Sequence, residues 1–156
     1  MAIARTVEQY LKSHDVDYEL VEHPRSVTSM HTAELAHVPG DQLAKSGLLE
    51  DERGYLVAVI PATHRLDLGK LHHQLDRRVG LAIEREVREL FRDCDPGAIP
   101  ALGAAYRIEA IVDDALLQQP DVYFEAGDHE ALVHVSGTAF SAMMAGVPHG
   151  RFTHHV

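Results

Sequence analysis

The sequence has a single cysteine, Cys94, and no tryptophan. One cysteine cannot close an intrachain disulfide, and there is no CxxC pair. A disulfide-stapled secreted scaffold is therefore excluded, and a reducing compartment is expected. Aromatic residues make up only 6% of the chain, too few to suggest a base-stacking platform for single-stranded nucleic acid. Long hydrophobic runs are missing as well. The longest, from Leu56 to Ala62, has seven residues, far short of the roughly 20 that span a bilayer. The first ten residues lack the apolar stretch of a secretory signal and carry Glu8. A soluble, cytoplasmic protein with no membrane partner is the expectation.

Positive charge is equally scarce. The formal net charge of −10 argues against broad, sequence-independent binding of nucleic acid, and DNA is not an expected partner. The charge is unevenly spread. From Arg65 to Arg92 there are seven basic residues (Arg65, Lys70, Arg77, Arg78, Arg85, Arg88, Arg92) against five acidic ones. A local basic face is one reading of this stretch, and a solvated helical surface laced with ion pairs is the plainer one.

What is present fits one folded unit. A length of 156 residues with 46% hydrophobic content predicts a single domain over 1–156. Val7, Tyr10 and Leu11 at helical spacing predict a helix over about Thr6 to His14 with Thr6 as its cap, and Tyr18 and Leu20 a short strand over Asp17 to Glu22. A second helix is expected to begin at Thr28 or Ser29, either of which can cap free amides. Leu43 to Leu49 and Tyr55 to Pro61 flank a polar turn ending in Gly54, which predicts a hairpin. Its second arm has no polar alternation and should be buried on both faces.

Further on, Asp67 can cap a helix with the stripe Leu68, Leu71, Leu75. A short strand at Gly80 to Ile83 and a helix over Glu84 to Phe91 follow. Tyr106 to Val112 reads as a strand, Asp113-Asp114 as a helical turn, and Val122 to Ala126 with Ala131 to Val135 as a second hairpin. Ser136 caps a last helix through Met144, and the segment from Pro148 reads as frayed. Hairpins dominate and no regular βαβ repeat appears. The fold class is thus mixed α/β, with a largely antiparallel mixed sheet and surrounding helices.

Twelve histidines raise the question of metal. None has the helical i, i+4 spacing or compact strand pairing of a zinc site, so no metal or other cofactor is expected. Cys94 lies between Asp93 and Asp95, which disfavour a thiolate, and no Gly-x-Ser-x-Gly elbow or phosphate-binding glycine loop is present. Two features remain. Lys45 stands inside the otherwise apolar strand Leu43 to Leu49, where an ammonium must reach solvent or an anion. The Gly- and Pro-rich segment from Pro96 to Gly103 can aim bare N–H groups at a carbonyl or oxyanion, as ester hydrolysis requires. An edge lysine and an ordinary tight connection are the simpler readings of each taken alone.

Together these residues resemble the YbaK/prolyl-tRNA synthetase editing-domain family. The resemblance runs through His23-Pro24, Ala44-Lys45, Ala58-Val59-Ile60-Pro61-Ala62 with His64-Arg65-Leu66-Asp67, Gly97-Ala98-Ile99-Pro100, and Phe124-Glu125-Ala126-Gly127-Asp128-His129. It implies a mixed α/β fold around a curved sheet and hydrolysis of the ester joining a wrong amino acid to the 3′ end of tRNA. Lys45 matches the family lysine that helps bind the terminal nucleotide. Gly97, Ala98, Ile99 and Pro100 match the loop that offers backbone amides to the aminoacyl group. Water, positioned by backbone and by a substrate hydroxyl, is the implied nucleophile, with no cofactor. Thr28, Ser29 and His31 of the second helix, with Gly127, Asp128 and His129, are the implied specificity pocket.

One departure is Ala101, where many relatives place a second proline. The implied partners are aminoacyl-tRNA and, as a further candidate, a synthetase. A non-catalytic module binding tRNA ends, nucleotides or aminoacyl metabolites is the alternative that the acidic charge favours. A histidine-rich metal buffer is a third.

Overall fold

The computed structural model describes residues 3–156. Helix α1 (Arg5–Ser13) buries Val7 and Leu11, one turn apart. Thr6 is not its cap. The preceding Ala4 makes no side-chain bond, and the Thr6 N–H is instead accepted by the Asp93 carboxylate at 2.8 Å. Strand β1 (Glu19–Glu22) and helix α2 (Ser29–Ala36) follow, the helix capped by Thr28, whose side chain accepts from the His31 N–H. The hairpin consists of β2 (Leu43–Asp51) and β3 (Gly54–Pro61), paired from Ala44–Pro61 to Asp51–Gly54.

Next come β4 (His64–Leu66), α3 (Leu68–Leu75), β5 (Gly80–Leu81), α4 (Glu84–Leu90), β6 (Glu109–Asp113) and α5 (Asp114–Leu117). The chain continues through β7 (Asp121–Glu125), β8 (Ala131–Ser136), α6 (Gly137–Met143), β9 (His149–Gly150) and β10 (Thr153–His155). Asp67, Asp113 and Ser136 cap α3, α5 and α6 as expected.

The main sheet runs β1-β8-β7-β2-β3-β6-β9, with β5 attached to β2. Its hairpin pairs are antiparallel, while β2–β7, β3–β6 and β6–β9 are parallel. It is a mixed sheet. β3 is an interior strand buried on both faces: Val57 and Val59 pack with Val7, Leu11 and Phe140, whereas Leu56, Ala58 and Ile60 pack with Leu71 and Phe152. This accounts for the unbroken apolar run. Helix α2 covers a third cluster of Ala33, Leu43, Ala62 and Leu132.

Two expectations change. The strand expected from Tyr106 begins only at Glu109, because Gly103–Tyr106 form a 3-10 turn closed by Arg107 in the left-handed region. The segment after Pro148 is ordered by contacts that periodicity does not reveal. Phe152 is fully buried, a gain of about 2 kcal/mol. The buried Asp113 carboxylate accepts from the Phe152 N–H at 3.2 Å and the Thr153 hydroxyl at 2.8 Å, and β10 pairs with β4. Among the described residues no helix is long and apolar enough to cross a membrane.

Candidate active site

The parallel ladder between β2 and β7 has only two rungs, Leu43–Tyr123 and Ala44–Phe124. Lys45 and Glu125 are the next residue on each strand, just past the end of the ladder. Lys45 is opposite Ile60 and Ser46 opposite Val59, so the two side chains emerge on opposite faces of the sheet. The Lys45 ammonium donates to the Ala62 carbonyl at 3.3 Å. The Ser46 hydroxyl donates to the Pro100 carbonyl at 3.2 Å. The strand therefore touches the glycine-proline loop through Ser46, while the Lys45 side chain leaves from the opposite face of the sheet. Burial, and secondarily the Arg65 charge, lowers the Lys45 pKa below the ordinary lysine value.

The loop is exposed at Pro96 and Gly97 and buried beyond them. Ala98, Ile99, Pro100, Ala101 and Leu102 are buried, and Gly97 has φ +83°, a left-handed conformation that a side chain would strain. The Ala98 N–H bonds the Asp95 carbonyl at 3.0 Å, while the Gly97 and Ile99 N–H groups have no hydrogen-bond partner among the described residues. Ile99 is buried and Gly97 exposed; two amides without partners, two residues apart, form a donor pair suited to a carbonyl oxygen.

The β7–β8 turn closes on this loop. His129 is 2% exposed, and a Cβ on Gly97 would lie 3.4 Å from its Cε1. Its Nε2 bonds the Pro96 carbonyl at 2.6 Å. A carbonyl only accepts, so Nε2 carries the proton and Nδ1 is left as a lone-pair acceptor. That Nδ1 is buried and unpartnered among the described residues. The Asp95 N–H bonds the Gly127 carbonyl at 2.7 Å. Gly127, at φ +130°, leaves no space for a side chain, since a Cβ would lie 2.9 Å from that of Ala4. Asp128 accepts the Glu130 N–H at 2.9 Å, and its carbonyl accepts from Arg25, which also pairs with Asp95 at 3.4 Å.

The second-helix candidates divide. The Thr28 side chain is engaged as a cap, Ser29 is half-buried at the first helical position, and His31 is exposed. Thr32, which the sequence reading passed over, is fully buried with an unpartnered Oγ1. His23 and Glu125 are alike in this respect. His23 Nδ1 donates to the Pro24 carbonyl at 2.8 Å, and its Nε2 is buried without a partner. Glu125 Oε1 is also buried and unpartnered, and burial first, then the Asp128 charge, push the carboxyl up to about 8. Polar side chains inside apolar patterns were the available signal, and only their lack of partners in three dimensions marks them.

Cys94 offers no nucleophile. Burial foremost, with Asp93 and Asp95 adding to it, pushes its thiol up to about 12. A surface groove of about 560 Å³ between the end of α1 and α6 contains none of these residues.

Residues 23–142 match the family profile described as an aminoacyl-tRNA editing domain. Among solved structures, the chain is similar to a protein proposed to be a trans-editing enzyme for prolyl tRNA synthetase. Identity is 26% over 97% of this chain and 96% of that one, with a TM-score of 0.81. A hypothetical protein of known structure, 24% identical over 96% of this chain and 100% of its own, superposes with a TM-score of 0.84. A scaffold protein used for epitope grafting, 22% identical over 98% and 97% of the two chains, gives 0.83. The last two speak for the fold alone. No curated protein matches the sequence. With the profile spanning most of the chain and covering both the β2 strand and the glycine-proline loop, the protein belongs to the aminoacyl-tRNA editing domain family.

Proposed function

We propose that the chain, as one domain over 1–156, hydrolyses the ester of mischarged aminoacyl-tRNA in trans, in the cytoplasm. The observation that carries this reading is the pair of unpartnered amides at Gly97 and Ile99 beside the buried His129. In this reading the two N–H groups donate to the ester carbonyl and strengthen as it becomes an oxyanion. Water adds to the carbonyl carbon, the bond to the ribose oxygen breaks, and the proton released by water ends on that oxygen. Family membership supports the substrate class, and the raised thiol of Cys94 speaks against a covalent route through that residue.

The roles of the remaining residues follow from their chemistry. Lys45, at the open end of the ladder, holds the terminal nucleotide as a cation on a flexible stem. His129 Nδ1, an acceptor without a donor, suits the α-ammonium of the amino acid. Thr28, Ser29, His31, Gly127 and Asp128 border the amino-acid side. A synthetase is a candidate partner.

A panel of mischarged tRNAs tests the reading: the protein releases amino acid from at least one, and Lys45→Ala slows release by roughly 100-fold, about 2.7 kcal/mol of transition-state stabilisation. Absence of release across the panel overturns it. Titration with a non-hydrolysable aminoacyl-adenosine analogue then separates the alternative, because binding without turnover identifies a recognition module.

A further inference from the structure

The pairing of β10 with β4 sets His155 directly opposite His64, and Asp41 completes a group whose ligand atoms all lie within 4.8 Å of one another. The hydrogen bonds around this group determine which atoms are free. Thr153 Oγ1 donates its only hydrogen to the buried Asp113 carboxylate at 2.8 Å. It can therefore only accept from His64 Nδ1, which lies 2.8 Å away. His64 Nδ1 carries the proton and Nε2 the lone pair. His155 Nδ1 bonds the Val156 carbonyl at 2.9 Å, so its Nε2 is likewise a bare lone pair. Asp41 is steadied by a hydrogen bond from the Thr63 hydroxyl to Oδ1.

His155 Nε2 and Asp41 Oδ1 then face each other at 3.6 Å. Both are acceptors in this tautomer, and the separation exceeds a hydrogen bond. It is close to the roughly 3.4 Å between two donors that each sit about 2.0–2.1 Å from a tetrahedral ion. Outer partners that fix each imidazole through its second nitrogen are the usual support of a metal-binding histidine. We propose that Asp41, His64 and His155 bind a divalent transition-metal ion of zinc type. Two imidazoles and one carboxylate suit such a borderline ion better than magnesium or calcium, and three protein ligands leave a position for water or an exogenous oxygen.

The ion would sit at the β3–β4 end where Lys45 meets the Ala62 carbonyl, adding positive charge to that edge. The proposal does not depend on the deacylase reading. The periodicity of the sequence conceals this site because its ligands come from three separate segments, joined by the β4–β10 ladder and the Thr63–Asp41 hydrogen bond.

Zinc titration of metal-stripped protein by calorimetry, with cobalt substitution followed in the visible spectrum, tests it. One ion per chain is expected, with cobalt bands of a four-coordinate N/O site. His64→Ala, His155→Ala and Asp41→Asn should each weaken zinc binding by at least about tenfold, while His154→Ala, on the neighbouring exposed residue, leaves it unchanged. Circular dichroism of the stripped variants confirms that they fold; Asp41 and His155 are exposed, so at least those two are expected to. No saturable zinc site at micromolar metal overturns the proposal and leaves a protonated His155–Asp41 ion pair. Binding that survives all three substitutions overturns it too, by assigning the ion to other histidines.

Discussion

Glu125 carries the most informative single ionisation in the protein. Its folded carboxyl is pushed from 4.5 up to about 8, so between those values the native state keeps a proton that the unfolded chain has lost. Protons bound by the native state stabilise it where they are present. The contribution is full below about pH 4.5 and is lost as pH rises towards 8. Glu125→Gln mimics the neutral carboxyl and should flatten this dependence. Urea denaturation at pH 5 and pH 8 should show the wild type losing on the order of 1–3 kcal/mol more than the variant over that interval; parallel pH profiles would mean that the buried carboxyl is solvated in the native state. The sequence does not announce this residue. In Phe124-Glu125-Ala126 it reads as the polar member of an alternating strand, and its cost is visible only once Oε1 is seen to be buried without a partner. The same holds for Thr32 and for Nδ1 of His129. Lys45 was legible because an ammonium in an apolar strand is anomalous on its own, whereas its partner, Ala62, was not.

At the scale of elements, local chemistry was the most readable. The caps Thr28, Asp67, Asp113 and Ser136 are short-range devices, each bonding an N–H two or three residues ahead, and so can be placed from sequence. Strand pairings that close over long separations could not be placed. Asp113 illustrates both. Its Oδ1 caps α5 locally, while Oδ2 holds Phe152 and Thr153 from the far end of the chain. The two kinds of duty predict different costs. Asp67→Ala removes one cap on the half-buried start of α3 and should cost about 1 kcal/mol. Asp113→Ala removes a cap and leaves the Phe152 amide and the Thr153 hydroxyl without their acceptor inside the fold, and should cost roughly 3–4 kcal/mol. Chemical denaturation of both variants checks the ratio. Equal losses would show that the carboxy-terminal segment docks on Phe152 alone, independently of the buried carboxylate.

For the whole molecule, the difficulty is a net charge of −10 on a protein read as acting on tRNA. The structure does not gather the basic stretch from Arg65 to Arg92 into one free patch. Arg77 is held by Asp51 at 3.2 Å and Glu109 at 3.7 Å, and Arg88 pairs with Glu84 at 3.4 Å, so the plainer reading of that charge was the better one for those two residues. Near the candidate site the cations are few: Lys45, the exposed Arg65, and Arg25, which Asp95 already pairs. The proposed function asks the protein to grip the end of its substrate, not its length. Counterion release then makes a quantitative demand: neutralising about two phosphates of a single-stranded end gives a slope of log K against log salt of about −1.4. A protein lying along the acceptor stem with six or more phosphate contacts would give a slope steeper than about −5. Binding of a non-hydrolysable aminoacyl-tRNA analogue, measured between 50 and 200 mM salt, distinguishes the two. The shallow slope is expected, falling further in Lys45→Ala, because acidic surface around a small cationic edge repels the body of the tRNA while its charged terminus enters.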